Sequence, residues 1–87
     1  MARLIRNSER ITRARALIQK ARDVPPPTDM GMATFTYVAE VKEILRKARD
    51  LIKFIPMSPS ATQDIKDEAE QIMIESEQAQ KEATRFL

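Results

Sequence analysis

The chain predicts an all-α fold, a three-helix bundle with up-down-up, antiparallel topology. Three observations predict it. Apolar residues recur at three- and four-residue steps through three segments. Proline-bearing breaks separate those segments, first at Pro25, Pro26 and Pro27, then at Pro56 and Pro59. A short phrase also occurs twice, each time late in an amphipathic stretch and shortly before a break: Ile18-Gln19-Lys20-Ala21-Arg22-Asp23-Val24 returns as Leu45-Arg46-Lys47-Ala48-Arg49-Asp50-Leu51. Cations suit the carboxyl end of a helix and alanine is the best helix former, so the phrase reads as two similar helix endings. Two copies do not make a solenoid.

The 87 residues are read as one domain, with helices near 4–23, 35–55 and 60–86 and joints at 24–33 and 56–59. In the first helix Leu4, Ile11, Ala14, Ile18 and Ala21 share a stripe, with Leu17 and Val24 beside it. The three prolines stop it, and Pro25 pushes Val24 out of helical geometry. The joint is expected to begin as a stiff polyproline brace and to turn between Asp29 and Gly31. In the second helix Thr34 or Thr36 is a candidate cap, and Val38, Val41, Leu45, Ala48, Ile52 and Ile55 form the stripe. Tyr37, Ile44 and Leu51 widen it, which places this helix at the centre. In the third helix Ser58-Pro59 reads as a cap with proline at the first helical position, and Ser60-x-x-Gln63 as a capping box one step later. Its seam is Ile65, Ala69, Ile72, Ser76, Ala79, Ala83 and Phe86 at heptad spacing. Alanine and serine bury little area, so the last two turns are expected to fray or to need a partner.

Composition excludes most catalytic equipment. There is no His, Cys or Trp, and Gly31 is the only glycine. No imidazole is present to act as a base near neutral pH, no thiolate to attack, no Cys/His set to bind zinc, and no glycine-rich loop to cradle a phosphate. The carboxylates of the third helix (Asp64, Asp67, Glu68, Glu70, Glu75, Glu77, Glu82) remain, but no ligand-rich loop accompanies them. The expectation is no enzyme, no cofactor, no metal and no small-molecule substrate. Polar residues interrupt every apolar run, so no membrane span is predicted. The readings for location are intracellular, cytoplasmic or nuclear. An alternative is mitochondrial, because the Arg-rich start resembles a presequence.

The net charge of +2 hides a gradient. Residues 1–23 carry seven basic and two acidic side chains, whereas residues 56–87 carry three basic and seven acidic. The first reading is that the basic and acidic helices complement each other inside the bundle. The second is a patch for nucleic acid or anionic membrane, with Arg6, Arg10, Arg13 and Arg15 as candidate phosphate ligands. No aromatic residue is interleaved with them for base stacking.

Apolar residues outside the stripes point to a partner instead. Phe35, Phe54, Met30 and Met32 are hard to bury together with every stripe residue, and Ile5, Met73, Ile74, Phe86 and Leu87 are the candidate partner-binding residues. The functional expectation is a non-catalytic protein–protein interaction domain, either a subunit or an adaptor of a larger assembly, with a protein partner or self-association. The acids of the third helix would repel in a parallel self-pair, which favours a basic partner surface. Phe54-Ile55-Pro56 followed by Ser58-Pro59-Ser60 resembles the helix joints of focal-adhesion-targeting-type bundles. That resemblance covers some thirty residues, has no diagnostic motif, and carries over neither fold nor residue role.

Circular dichroism of the isolated chain should show helix in well over half of the residues. A mostly unordered spectrum would exclude an autonomous bundle.

Overall fold

In a computed structural model, which describes residues 6–28 and 31–85, helices α1 (Asn7–Asp23), α2 (Met32–Ile52) and α3 (Gln63–Thr84) pack against one another. A short 3-10 helix, Ile55–Met57, joins α2 to α3. Helix accounts for 81% of the described residues, and none of them is in a strand. The all-α three-helix bundle is therefore the fold.

Each helix ends where local chemistry requires, at places that differ in detail from the sequence expectations. The first helix was expected from residue 4, which lies outside the described residues. At its other end Val24 is extended (φ −62°, ψ 123°), as a residue before proline must be. The second helix begins at Met32 and not near residue 35, and neither Thr34 nor Thr36 is its cap. Gly31 occupies that position at φ 108°, a backbone region that L side chains rarely adopt. The glycine lets the chain swing from the proline joint straight into the helix, and its carbonyl accepts from the backbone N–H of Thr34 at 3.0 Å. Thr36 instead donates its hydroxyl to the Met32 carbonyl at 3.0 Å.

The carboxyl end of α2 falls at Ile52, short of residue 55. Pro56 explains this, because its ring would collide with the carbonyl four residues earlier, that of Ile52. The chain tightens into the 3-10 helix, and Ile55 still reaches the core. The start of α3 also moves. Thr62 is its cap, its hydroxyl accepting from the Ile65 N–H at 3.3 Å. Ser58 and Ser60 pair their hydroxyls at 3.0 Å, and the Ala61 N–H donates to the Ser58 carbonyl at 3.2 Å. Pro59 thus sits in a turn, a position it favours, and not at the head of a helix. Gln63 donates to Asp67 at 2.9 Å and forms no capping box.

The direction of packing follows from three cross-helix contacts. Arg15 meets Glu75 and Arg22 meets Glu82, the same offset of 60 residues in both cases, so α1 and α3 run parallel. Arg10 at the start of α1 meets the Leu51 carbonyl at the end of α2, so these two are antiparallel. The core alternates large and small side chains. Leu45, Ile52, Ile72 and Val41 are its largest fully buried members, beside Ala14, Ala48, Ala69 and Ala83. Ser76 is 0% exposed and donates its hydroxyl to the Met73 carbonyl at 2.7 Å. That carbonyl is part of the helix ladder, so deleting the hydroxyl strands no donor.

Leu45→Ala should destabilise by about 2–5 kcal/mol, because the site is completely buried at the centre of the widest stripe. Ser76→Ala should change stability by less than about 0.5 kcal/mol, or raise it, given the better helix propensity of alanine. Thermal melts of the two variants check both. An unchanged melting temperature for Leu45→Ala would remove α2 from the centre of the fold.

Candidate protein-binding groove

At 100° per residue, the flanks of each helix can be assigned from the buried stripe. On α1 the buried stripe is Ile11, Ala14, Ile18 and Ala21. Arg15 and Arg22 flank it toward α3, and Arg10 flanks it toward α2. Arg13 lies on the outer side beside Glu9, at 4.0 Å. Arg6 is exposed at the cap position. Of the four arginines singled out as phosphate ligands, Arg6, Arg10 and Arg13 lie within about 60° of one another around α1, and Arg15 stands on the opposite flank.

Two of the four make contacts between helices. Arg15 pairs with Glu75 at 3.5 Å, and Arg22, the neighbouring case, pairs with Glu82 at 3.0 Å. Arg10 donates to the Leu51 carbonyl at 3.3 Å in a half-buried setting. The last carbonyls of a helix have no partner within it and sit at its negative pole, so a guanidinium from α1 completes the end of α2. Part of the charge gradient is accordingly spent between α1 and α3. On the outer side of α2, Arg46 forks onto Glu43 at 2.7 and 3.2 Å and reaches Asp50 at 2.7 Å. The hydrogen bonds from Arg46 hold the Glu43 carboxyl below the usual carboxylate range, and Glu43 in turn raises Arg46.

The apolar surface lies elsewhere. A groove of about 410 Å³ opens where the end of α2 and the 3-10 helix approach the first half of α3. Ile52, Pro56, Ala69 and Met73 supply its apolar wall, and Lys53, Lys66, Asp67 and Glu70 supply its rim. Phe54 and Met57, the chain neighbours of Lys53 and Pro56, are 63% and 71% exposed. The Lys53 ammonium sits 5.1 Å from the centre of the Phe54 ring. The groove lies where Pro56 has ended α2 and the 3-10 helix takes its place beside α3.

Of the candidate partner residues, Met73 lines this groove, half-buried against the core. Ile74 does not join it. It is 42% exposed and faces directly away from the core, among Asp67, Glu70, Gln78 and Lys81. Ile5, Phe86 and Leu87 lie outside the described residues. Sequence reasoning missed Ile52 and Pro56 as members of one surface with Met73. The available signal was Phe54 next to a proline joint. At the opposite end Met32 and Phe35 are exposed as well, beside a cleft lined by Val24, Pro25, Pro27 and Tyr37. Among the described residues, no group of three or more Asp, Glu, His or Cys is arranged to hold a metal ion, and no helix is long and apolar enough to cross a membrane. Comparison with known proteins finds no matching family model, curated protein or solved structure.

The arginines should separate on mutation. Arg10→Ala should lower stability by about 1 kcal/mol, the order expected for a hydrogen bond from a charged donor near the surface. Arg13→Ala, on the exposed outer side, should stay within about 0.5 kcal/mol of the parent. Equal losses in urea titrations would remove the end-capping role of Arg10.

Proposed function

We propose that the chain is a non-catalytic helical protein-interaction domain, a subunit or adaptor of a larger assembly, and that the groove is its binding surface. The observation that carries this reading is an apolar-walled groove, together with the exposure of Phe54 and Met57, the chain neighbours of its Lys53 and Pro56. Burying such side chains against a partner removes apolar surface from water at about 25 cal/mol per Å². Methionine suits this role because its flexible thioether adapts to the surface it meets. The rim is charged and the wall apolar, the arrangement of an interface with a dry centre and a wet edge. The lack of His and Cys supports a binding role over a catalytic one.

The competing reading is a phosphate-binding module led by α1. The pairing of Arg15 with Glu75 and the use of Arg10 at the end of α2 argue against it.

A photo-crosslinking residue placed at Met57, with a control at the exposed Ala16 on α1, tests the proposal. Position 57 should give discrete protein adducts that excess unlabelled chain suppresses and excess Met73→Lys chain does not. Position 16 should give none with that behaviour. Equal labelling at both positions, or none at 57, overturns the proposal. So does steeply salt-dependent binding to RNA, DNA or anionic vesicles that Arg10, Arg13 and Arg15 to alanine abolishes.

A further inference from the structure

Two opposite charges stand one helical turn apart on the groove side of α3, Lys66 and Glu70. Among the described residues neither side chain takes part in an ion pair or a hydrogen bond, while their rim neighbours do. Lys53 pairs with Asp50 at 3.3 Å, and Asp67 accepts from Gln63 at 2.9 Å. The rim as a whole is balanced, with Lys53 and Lys66 against Asp67 and Glu70. A surface of one sign would call for a partner of the other sign. A balanced surface with its charges in this order can complement itself.

We propose that the groove is the interface of an isologous homodimer in which α3 packs against α3 of a second copy, antiparallel, about a two-fold axis between Lys66 and Glu70. The inference rests on the groove being an interaction surface, and names its occupant. With the axis at that place, Lys66 of each copy faces Glu70 of the other, so one contact is made twice. Gln63 comes opposite Met73. In these two pairings no acid faces an acid. In a parallel pair Glu70 would meet Glu70 and Glu77 would meet Glu77, and like charges set face to face disfavour that arrangement. Two further acids of α3 are already occupied, since Glu75 and Glu82 pair with Arg15 and Arg22 on the side turned toward α1. A small core gains stability from such pairing.

Charge exchange across the two-fold axis provides the test. Sedimentation equilibrium of the full chain should give twice the 10.0 kDa of one copy at high concentration. Lys66→Glu sets two acids face to face twice, and Glu70→Lys sets two cations face to face twice. Each single variant should dissociate about tenfold or more readily than the parent. The double variant K66E/E70K should regain the parent mass, because the pairs are merely reversed. An equimolar mixture of the two single variants should form a mixed dimer that neither forms alone. Circular dichroism of each variant confirms that the helices persist. A chain that stays at the mass of one copy at all concentrations overturns the homodimer. So does a dimer that the single reversals leave unchanged, or that neither the double variant nor the mixture restores. If the homodimer fails while position 57 still crosslinks to a different protein, only the identity of the occupant falls.

Discussion

The close approach of three helices through small residues is the constraint on which the rest of this structure depends. Ala14 and Ala21 on α1, Ala48 on α2, and Ala69, Ser76, Ala79 and Ala83 on α3 are all buried. Small side chains let helix axes approach one another, and the space between them is filled by branched residues, of which Leu45, Ile52, Ile72 and Val41 are the largest fully buried. Losing one isoleucine or leucine opens a cavity that the neighbouring alanines cannot fill, whereas losing the Ser76 hydroxyl changes little. The same tight spacing puts flanking side chains of α1 within reach of α3, and so makes the cross-helix ion pairs geometrically possible.

Those pairs do more for register than for stability. Arg15–Glu75 and Arg22–Glu82 are solvent-exposed, and pairs of that kind contribute about 0–1 kcal/mol each. Sliding α3 by one turn along α1 would break both and bring other groups opposite the arginines. An alanine seam tolerates sliding better than a seam of interlocking large residues, so charge selects among packings that apolar burial alone leaves close in energy. Arg10 acts differently. It ties the start of α1 to the carbonyl end of α2, a fixed point that any slide would lose.

Periodicity carried the fold because each buried stripe keeps a helical repeat over several turns. Every residue of the expected stripes from Ile11 to Ala21 and from Val38 to Ile52 is buried in the structure. Boundaries were less legible, since several residues competed for each cap. Thr34, Thr36, Ser58 and Ser60 all have good capping chemistry. Gly31 and Thr62 prevailed because the former permits a positive φ after the proline joint, and the latter lies beyond the turn that Pro59 holds. The groove was legible only in part. Met73 was identifiable as an apolar residue off the main stripe, but its pairing with Ile52 and Pro56 depends on how α2 ends against α3. Ile74 misled for a simple reason: a residue adjacent in sequence lies 100° away around a helix, and here that step leads from the flank to the outer face.

The repeated Lys-Ala-Arg-Asp phrase acquires a shared role once the helices are packed. In both copies the alanine, Ala21 or Ala48, is buried and the following arginine turns to α3. Arg22 pairs with Glu82 at 3.0 Å, and Arg49 donates to Gln80 at 3.2 Å. The two arginines come from antiparallel helices, yet they reach nearly the same level of α3 from opposite flanks. Arg49 manages this because helical side chains lean toward the start of their own helix, and for α2 that direction runs toward the end of α3. The carboxyl half of α3, poor in large apolar residues, is thus held by a polar clamp on both sides. The two asparates of the phrase stay local, with Asp23 accepting from Gln19 and Asp50 from Arg46. A motif suited to ending a helix serves here as two matching jaws because an alanine followed by an arginine places a smooth contact and a long donor 100° apart. That half of α3 is steadied by the first two helices together.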